Sequence, residues 1–468
     1  MVLPLHLLPA TSLLQLYASR ELSPVDAVEA ALTAIERWNP RFNAFCLIDR
    51  DRALEDARES EIRWMRGAPI GALDGVPTSI KDLLLTKGWP TLRGSRTVNP
   101  DQNWHDDAVL VGHLRRSGAI LVGKTTTPEF GWKGVTDSGL SGVTRNPWNP
   151  QMTSGGSSGG AAVAAACGMG ALHIGTDGGG SIRIPASFSG IVGFKPTYGI
   201  IPRHPPSPYG TVSTGGPMTR TVADAALMMD VLVQPHPLDW YALPYDGPRF
   251  RDGLDGGVKG WRIAFSPTLS GARVDPEVAQ LVAAAAKVFT ELGATVVELP
   301  RVLEDSLTIF QNHWFAGAAT VVRPLSAAQR RLLDPGLAYI AEQGARLSVL
   351  DYLEAVRARE AKGSKMLAFF QDWDLLLTPT MPITAFAAGY DYPPQEDRGQ
   401  WTDWTPFTYP FNLTRQPAIS IPCGFTKAGL PVGLQIVGPI LGDHRVLRAA
   451  HAFEQIQPFH LPDLAGAT

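Results

Sequence analysis

The sequence predicts an α/β fold, and three observations carry that expectation. Strand, helix and strand follow one another over 262–265, 276–292 and 295–299, a βαβ unit. Two glycine–serine clusters, Gly155-Gly156-Ser157-Ser158-Gly159-Gly160 and Gly178-Gly179-Gly180-Ser181, are joined by an alanine-rich helix (161–167) and a short apolar strand (171–175). Apolar residues make up 44% and charged residues 18% of the 468, so composition permits a core large enough for a single domain spanning 1–468.

The elements follow in order. The first nineteen residues lack a basic start, and Pro4, His6, Pro9 and Gln15 interrupt their apolar run, so a helix capped by Thr11 is expected instead of a leader. A second helix opens at Ser23-Pro24-Val25-Asp26, with a capping serine, proline in the first turn and an acid at the third position. It is expected to stop before Asn39-Pro40. A strand (42–48) and a charged helix (50–66) come next, then a strand and turn around Lys81, a helix (106–116) and a strand (119–122). Gly118 to Thr125 satisfies GxxxxGK[ST], yet an apolar strand fills the space a phosphate-binding loop needs, which excludes a P-loop. The signature stretch ends in a short helix (182–184) expected to close near Pro185. Beyond it lie a helix (221–233), a Pro/Gly/Asp-rich connector (235–257) and the βαβ unit. A mostly helical stretch (305–370), a buried strand (375–377), strands at 419–422 and 432–437 and a last helix (443–456) complete the chain. Residues 401–412 are dense in aromatics. They read either as a loop anchored in the core or as an apolar wall around a ligand.

Several functions are excluded. A formal charge of −3 leaves no electrostatic footprint for nucleic acid. No run approaches the roughly 18 apolar residues of a membrane span. Three widely spaced cysteines (Cys46, Cys167, Cys423) argue against a disulfide framework, and a cytoplasmic protein is expected. Neither HExxH nor CxxC is present, so neither a zinc site nor another cofactor is expected.

The chemistry concentrates at Ser181. A strand runs into Thr176-Asp177, three glycines and this serine before a helix opens, so several unpaired amides converge there. Such amides can hold the oxyanion of a tetrahedral intermediate, each well-placed donor contributing about 2.7–4 kcal/mol. The alternative is a glycine-rich turn with a capping serine. Gly155-Gly156-Ser157-Ser158-Gly159 also fits the GxSxG nucleophile elbow, but the stretch before it is loop text with two prolines rather than a buried strand. That elbow needs a histidine base, and His173, in the strand before Ser181, reads as a core residue.

The stretch from Gly155 to Ala186 resembles the amidase signature family of serine hydrolases. Gly75 to Asp82 (GVPTSIKD) resembles that family's lysine segment, and the order Lys81, Ser157, Ser181 is the family's order. The likeness continues through GIVGFKPTYG (190–199), GGPMTRTVAD (215–224), LLTPTMP (376–382) and 416–438. It implies a mixed central β-sheet flanked by helices, with a catalytic core at about 68–225. It implies Ser181 as nucleophile, Lys81 as base and Ser157 as proton relay, held by a cis peptide after Gly156. It further implies the amides of Gly178, Gly179, Gly180 and Ser181 as oxyanion hole, Ser158 and Thr176 as supports, and Asp177–Arg183 as a flanking ion pair. The helical stretch at about 300–372 then shapes the substrate entrance or serves as a packing layer. Expected substrates are small-molecule amides, anilides or carbamates (urethanes), cleaved without cofactor, nucleic acid or membrane by a monomer or homodimer. The family's alternative is the glutamine-hydrolysing component of a tRNA-dependent amidotransferase. To act as a base, Lys81 must be buried: a free lysine titrates near 10.4.

Overall fold

The computed structural model describes residues 3–395 and 399–464. The outer ends of the expected 1–468 domain, including the first two residues of the N-terminal segment, lie outside them. The strands are β1 (Phe45–Ile48), β2 (Pro77–Lys81), β3 (Ile120–Thr125), β4 (Asp137–Ser138), β5 (Gly142–Val143), β6 (Leu172–Asp177) and β7 (Val192–Lys195). They continue with β8 (Thr214–Thr219), β9 (Arg262–Phe265), β10 (Thr295–Glu298), β11 (Leu375–Pro379), β12 (Ala418–Phe425) and β13 (Pro431–Val437).

Eleven of these form one sheet in the order β1-β3-β2-β6-β8-β7-β12-β13-β11-β9-β10, while β4 and β5 pair apart. The sheet is mixed: β2 runs parallel to β3 and β6, β11 parallel to β9, and β6 through β13 pair antiparallel across the middle. The expected βαβ unit is present, with β9 and β10 parallel around the helix Pro276–Glu291.

Helices flank the sheet. A large apolar core packs Val109–Arg116, Val222–Leu232, Pro276–Glu291 and Asp443–Ile456 against it. The alanine run becomes the helix Gly159–Ala166, every residue of which is buried. Small side chains let its backbone approach its neighbours. A Cβ at Gly160 would lie 2.5 Å from the Ala44 carbonyl oxygen.

Proline and capping produced three departures from expectation. The helix Pro24–Phe42 has the expected Ser23–Asp26 capping box but continues through Pro40 and ends on Asn43 at φ 52°. Pro40 falls in the last turn, where little helix remains to be broken, and Trp38 and Phe42 are buried on either side of it. The helix after Ser181 likewise runs through Pro185, from Arg183 to Ser189, and ends on Gly190 at φ 69°. Pro185 lies in the first turn, where an amide has no intrahelical acceptor to lose. Thr11 does not cap the first helix, Ala10–Ser19. Its start is held by Asp224, which accepts from the amides of Ala10 and Thr11 at 2.9 Å each. That carboxylate comes from the helix Val222–Leu232, beyond the reach of a local capping signal.

Candidate active site

The register of neighbouring strands builds the site. β2 and β6 are parallel, with Thr78 opposite Leu172 and Ile80 opposite Ile174. Lys81 ends β2 and Thr176-Asp177 end β6, so they leave the sheet side by side at its carboxyl edge, where open α/β sheets bind ligands. The Lys81 amine lies 2.6 Å from Ser157 Oγ, 2.8 Å from Ser158 Oγ and 3.1 Å from Thr176 Oγ1. The Gly156–Ser157 peptide is cis. Ser158 donates to the Thr176 carbonyl at 3.2 Å, and its amide donates to the Ser181 carbonyl at 3.1 Å, tying the two serine turns together.

Lys81 is fully buried, and burial pushes its ammonium pKa well below the ordinary 10.5. Asp177 pulls the value back up and Arg203 pushes it down, but burial prevails. The adjacent Asp82 faces away: its carboxylate pairs with Lys124 at 2.9 Å. Lys124 belongs to the GxxxxGK[ST] stretch and sits on β3, where it also donates to the Pro90 carbonyl at 3.0 Å. It is a buried structural cation. His173 bonds Ser79 through Nδ1 at 2.7 Å, and burial lowers its pKa to about 3, so it is a neutral core residue.

Ser181 and Ser157 line one cavity of about 420 Å³, together with Thr176 and Gly178. Its walls are largely apolar, drawn from Leu83, Phe130, Pro208, Tyr209, Trp314 and Leu325. The helical stretch expected over 300–372 thus contributes Trp314 and Leu325. The aromatic stretch does not line this cavity. Trp401, Phe407, Tyr409 and Phe411 are buried, Trp401 close to the nucleophile turn and Phe407 and Phe411 against the strands at Leu376 and Ala418, so these residues anchor a loop in the core. A Cβ at Gly179 would lie 2.6 Å from Phe310 and 2.8 Å from Trp401, and one at Gly180 would collide with Thr408.

The four predicted oxyanion donors are not equivalent. The Gly180 amide donates to Asp177 Oδ1 at 2.7 Å, which removes it from the set. Those of Gly178, Gly179 and Ser181 remain. Asp177 and Arg183 form the expected ion pair, at 2.9 Å through Nε and 3.0 Å through Nη2. Three residues not identified from sequence complete it. Thr408 through its carbonyl, Gln435 and Asn412 accept from Arg183 at 2.9, 2.8 and 2.7 Å, and Asn412 also donates to Asp177 at 2.9 Å. Burial would raise the Asp177 pKa, but the Arg183 guanidinium and these hydrogen bonds hold it at about 2.

Asp177→Asn is therefore expected to cost about 3–5 kcal/mol of stability, because it leaves Arg183 buried without a counter-charge. The folded pKa lies below the unfolded 3.9, so the carboxylate's contribution is present above about pH 4 and is lost as pH falls toward 2. Thermal denaturation of both proteins over that range should show the difference in stability shrinking with acidification.

This sheet, with a buried lysine and two serine-bearing glycine turns at its edge, defines a class of hydrolase. The chain belongs to the amidase family, whose sequence model matches residues 26–447. An acylamidase of Rhodococcus erythropolis is 38% identical to it, over 97% of this chain and 96% of the relative. A glutamyl-tRNA(Gln) amidotransferase component of Thermosynechococcus vestitus is 34% identical, over 94% and 96%. The crystal structure of a bacterial aryl acylamidase of the amidase signature family superposes with a TM-score of 0.89 at 32% identity, covering 97% of each chain. The protein is an amidase, a hydrolase of C–N bonds. Among the described residues, no helix is long and apolar enough to cross a membrane, and no group of His, Cys, Asp or Glu converges to hold a metal.

Proposed function

We propose that this amidase cleaves N-acyl amides and anilides of small molecules through an acyl-enzyme on Ser181. The observation that carries the reading is the buried Lys81 amine, 2.6 Å from Ser157 in the cavity that Ser181 also lines. An uncharged amine has a lone pair. It takes the Ser157 proton as Ser157 takes that of Ser181, and the Ser181 oxygen bonds to the substrate carbonyl carbon. The amides of Gly178, Gly179 and Ser181 receive the oxyanion. The proton returns along the same relay to the leaving nitrogen as the C–N bond breaks. Water then enters, gives a proton to the relay and hydrolyses the ester, restoring Ser181. Carbamates present the same carbonyl–nitrogen unit and fall within this scheme. The Trp314 and Leu325 walls supplied by the helical stretch would then shape the substrate entrance. Three cysteines without disulfides accord with a cytoplasmic setting.

The second reading, glutamine hydrolysis within an amidotransferase, is favoured by relatives such as the Thermosynechococcus vestitus protein. Glutamine carries an α-ammonium beside its α-carboxylate, the ammonium needs an acidic partner, and no Asp or Glu among the described residues lines the cavity. That weighs toward acylamides. A turnover panel of aliphatic amides, anilides, carbamates and glutamine tests the choice. Anilide hydrolysis with no ammonia released from glutamine is the expected result, and glutaminase activity alone would overturn it.

A further inference from the structure

We infer that the substrate carries an anionic group, a carboxylate or similar oxyanion, which Arg93 recognises inside the cavity. The inference rests on the proposed amidase reading and refines its substrate class.

Two arginines, Arg93 and Arg203, line the cavity that holds Ser157 and Ser181, and no Asp or Glu among the described residues lines it with them. Arg203 is partly occupied: its Nη1 donates to Ser213 Oγ at 2.5 Å, and its backbone amide, not its side chain, meets Asp239. Arg93 is half-buried, and its guanidinium has neither a hydrogen-bond acceptor nor an ion-pair partner among the described residues. The acid nearest to it in electrostatic effect is Asp82, whose carboxylate is engaged by Lys124 at 2.9 Å. A guanidinium does not deprotonate at working pH and presents five donors in a planar fork. Among apolar walls, such a fork with no protein partner is matched by a planar anion on the ligand.

Backbone geometry supports the same residue. Arg93 stands at φ 58°, in the left-handed region that bulky residues avoid, and its carbonyl accepts from the Phe130 amide at 2.8 Å. Phe130 lines the same cavity, so the bond fixes Arg93 to its wall. The described lining holds two arginines and no carboxylate. A substrate anion would balance this excess, whereas an ammonium would add to it.

The test uses two substrate pairs, because the anion can belong to either half of the amide. Glutaryl-4-nitroanilide is compared with valeryl-4-nitroanilide for the acyl side, and 4-acetamidobenzoate with 4-acetamidotoluene for the amine side. The ratio of kcat/KM within each pair is measured for the wild type, Arg93→Gln and Arg93→Lys. In at least one pair, the wild type should favour the carboxylate member, mainly through KM. Arg93→Gln should reduce that ratio by about tenfold or more, and Arg93→Lys should restore part of it. Equal losses on both members, or no carboxylate preference in either pair, would overturn the inference. Calorimetric titration of Ser181→Ala with the same four compounds measures the preference without turnover. If no amide in the panel is cleaved yet the carboxylates bind selectively, the reaction assignment fails and the anion site stands. If anilides are cleaved without regard to charge, the reverse holds.

Discussion

Ser181→Ala should abolish amide turnover, lowering kcat by about 10⁶-fold, the scale set by removal of a nucleophile from a comparable relay. Ser181 stands where β6 gives way to a helix, lines the cavity and shares its turn with Gly178 and Gly179. Ser157 lines the same cavity, but its hydroxyl is already in contact with the Lys81 amine. A fluorophosphonate should therefore label Ser181, and peptide mass spectrometry locates the adduct. Labelling at Ser157, or residual turnover within tenfold of wild type in the alanine variant, would move the nucleophile elsewhere.

Lys81→Ala should separate amides from activated esters. Loss of general acid–base assistance costs about 10²–10⁴-fold, and amides should suffer the upper part of that range. An amine leaves only when protonated, whereas a nitrophenolate departs unaided, so ester cleavage should fall about tenfold less. Equal losses would sever Lys81 from proton delivery. The pH profile supplies a second readout. The base works only when uncharged, so kcat/KM falls as pH drops through the lowered Lys81 pKa, and this acid limb should vanish in the variant. Linkage requires a matching effect on folding. Between the lowered folded value and the unfolded 10.4, the unfolded chain binds the extra proton, so Lys81 makes stability rise with pH. Lys81→Met, which keeps the volume, should flatten that slope in thermal melts.

The residues proposed to react are picked out by local text, and the structure brings Lys81 beside Ser157, Ser158 and Thr176. Each serine sits in a glycine cluster, and the burial of Lys81 is expected from the role the family resemblance implies for it. Strand and helix existence followed from periodicity, and β9 and the helix Asp443–Ile456 matched residue for residue. What escaped depends on partners remote in sequence. Asn412 and Gln435 reach Arg183 across 229 and 252 residues, and nothing local marks them. Whether residues 401–412 faced a ligand or the core turned on the position of Phe310 and Trp314, which their own text does not contain. Pro40 and Pro185 misled because a proline breaks a helix according to its place in the helix, and that depends on capping residues outside the local pattern. The engagement of the Gly180 amide by Asp177 is likewise a matter of angstroms.

The packing beneath the Gly178–Ser181 turn bears on how this enzyme can be taken apart. Phe310, Trp314, Trp401 and Thr408 are the floor on which three bare backbone positions rest, and all four arise more than 120 residues downstream of that turn. A fragment truncated after about residue 225 would carry Lys81, Ser157 and Ser181 and yet lack the surface against which the Gly178–Ser181 turn packs. The Gly178–Ser181 turn is thus expected to take its packed shape only with those downstream residues in place. Grafting the glycine-rich central stretch onto another scaffold would transfer the reagents without the mould.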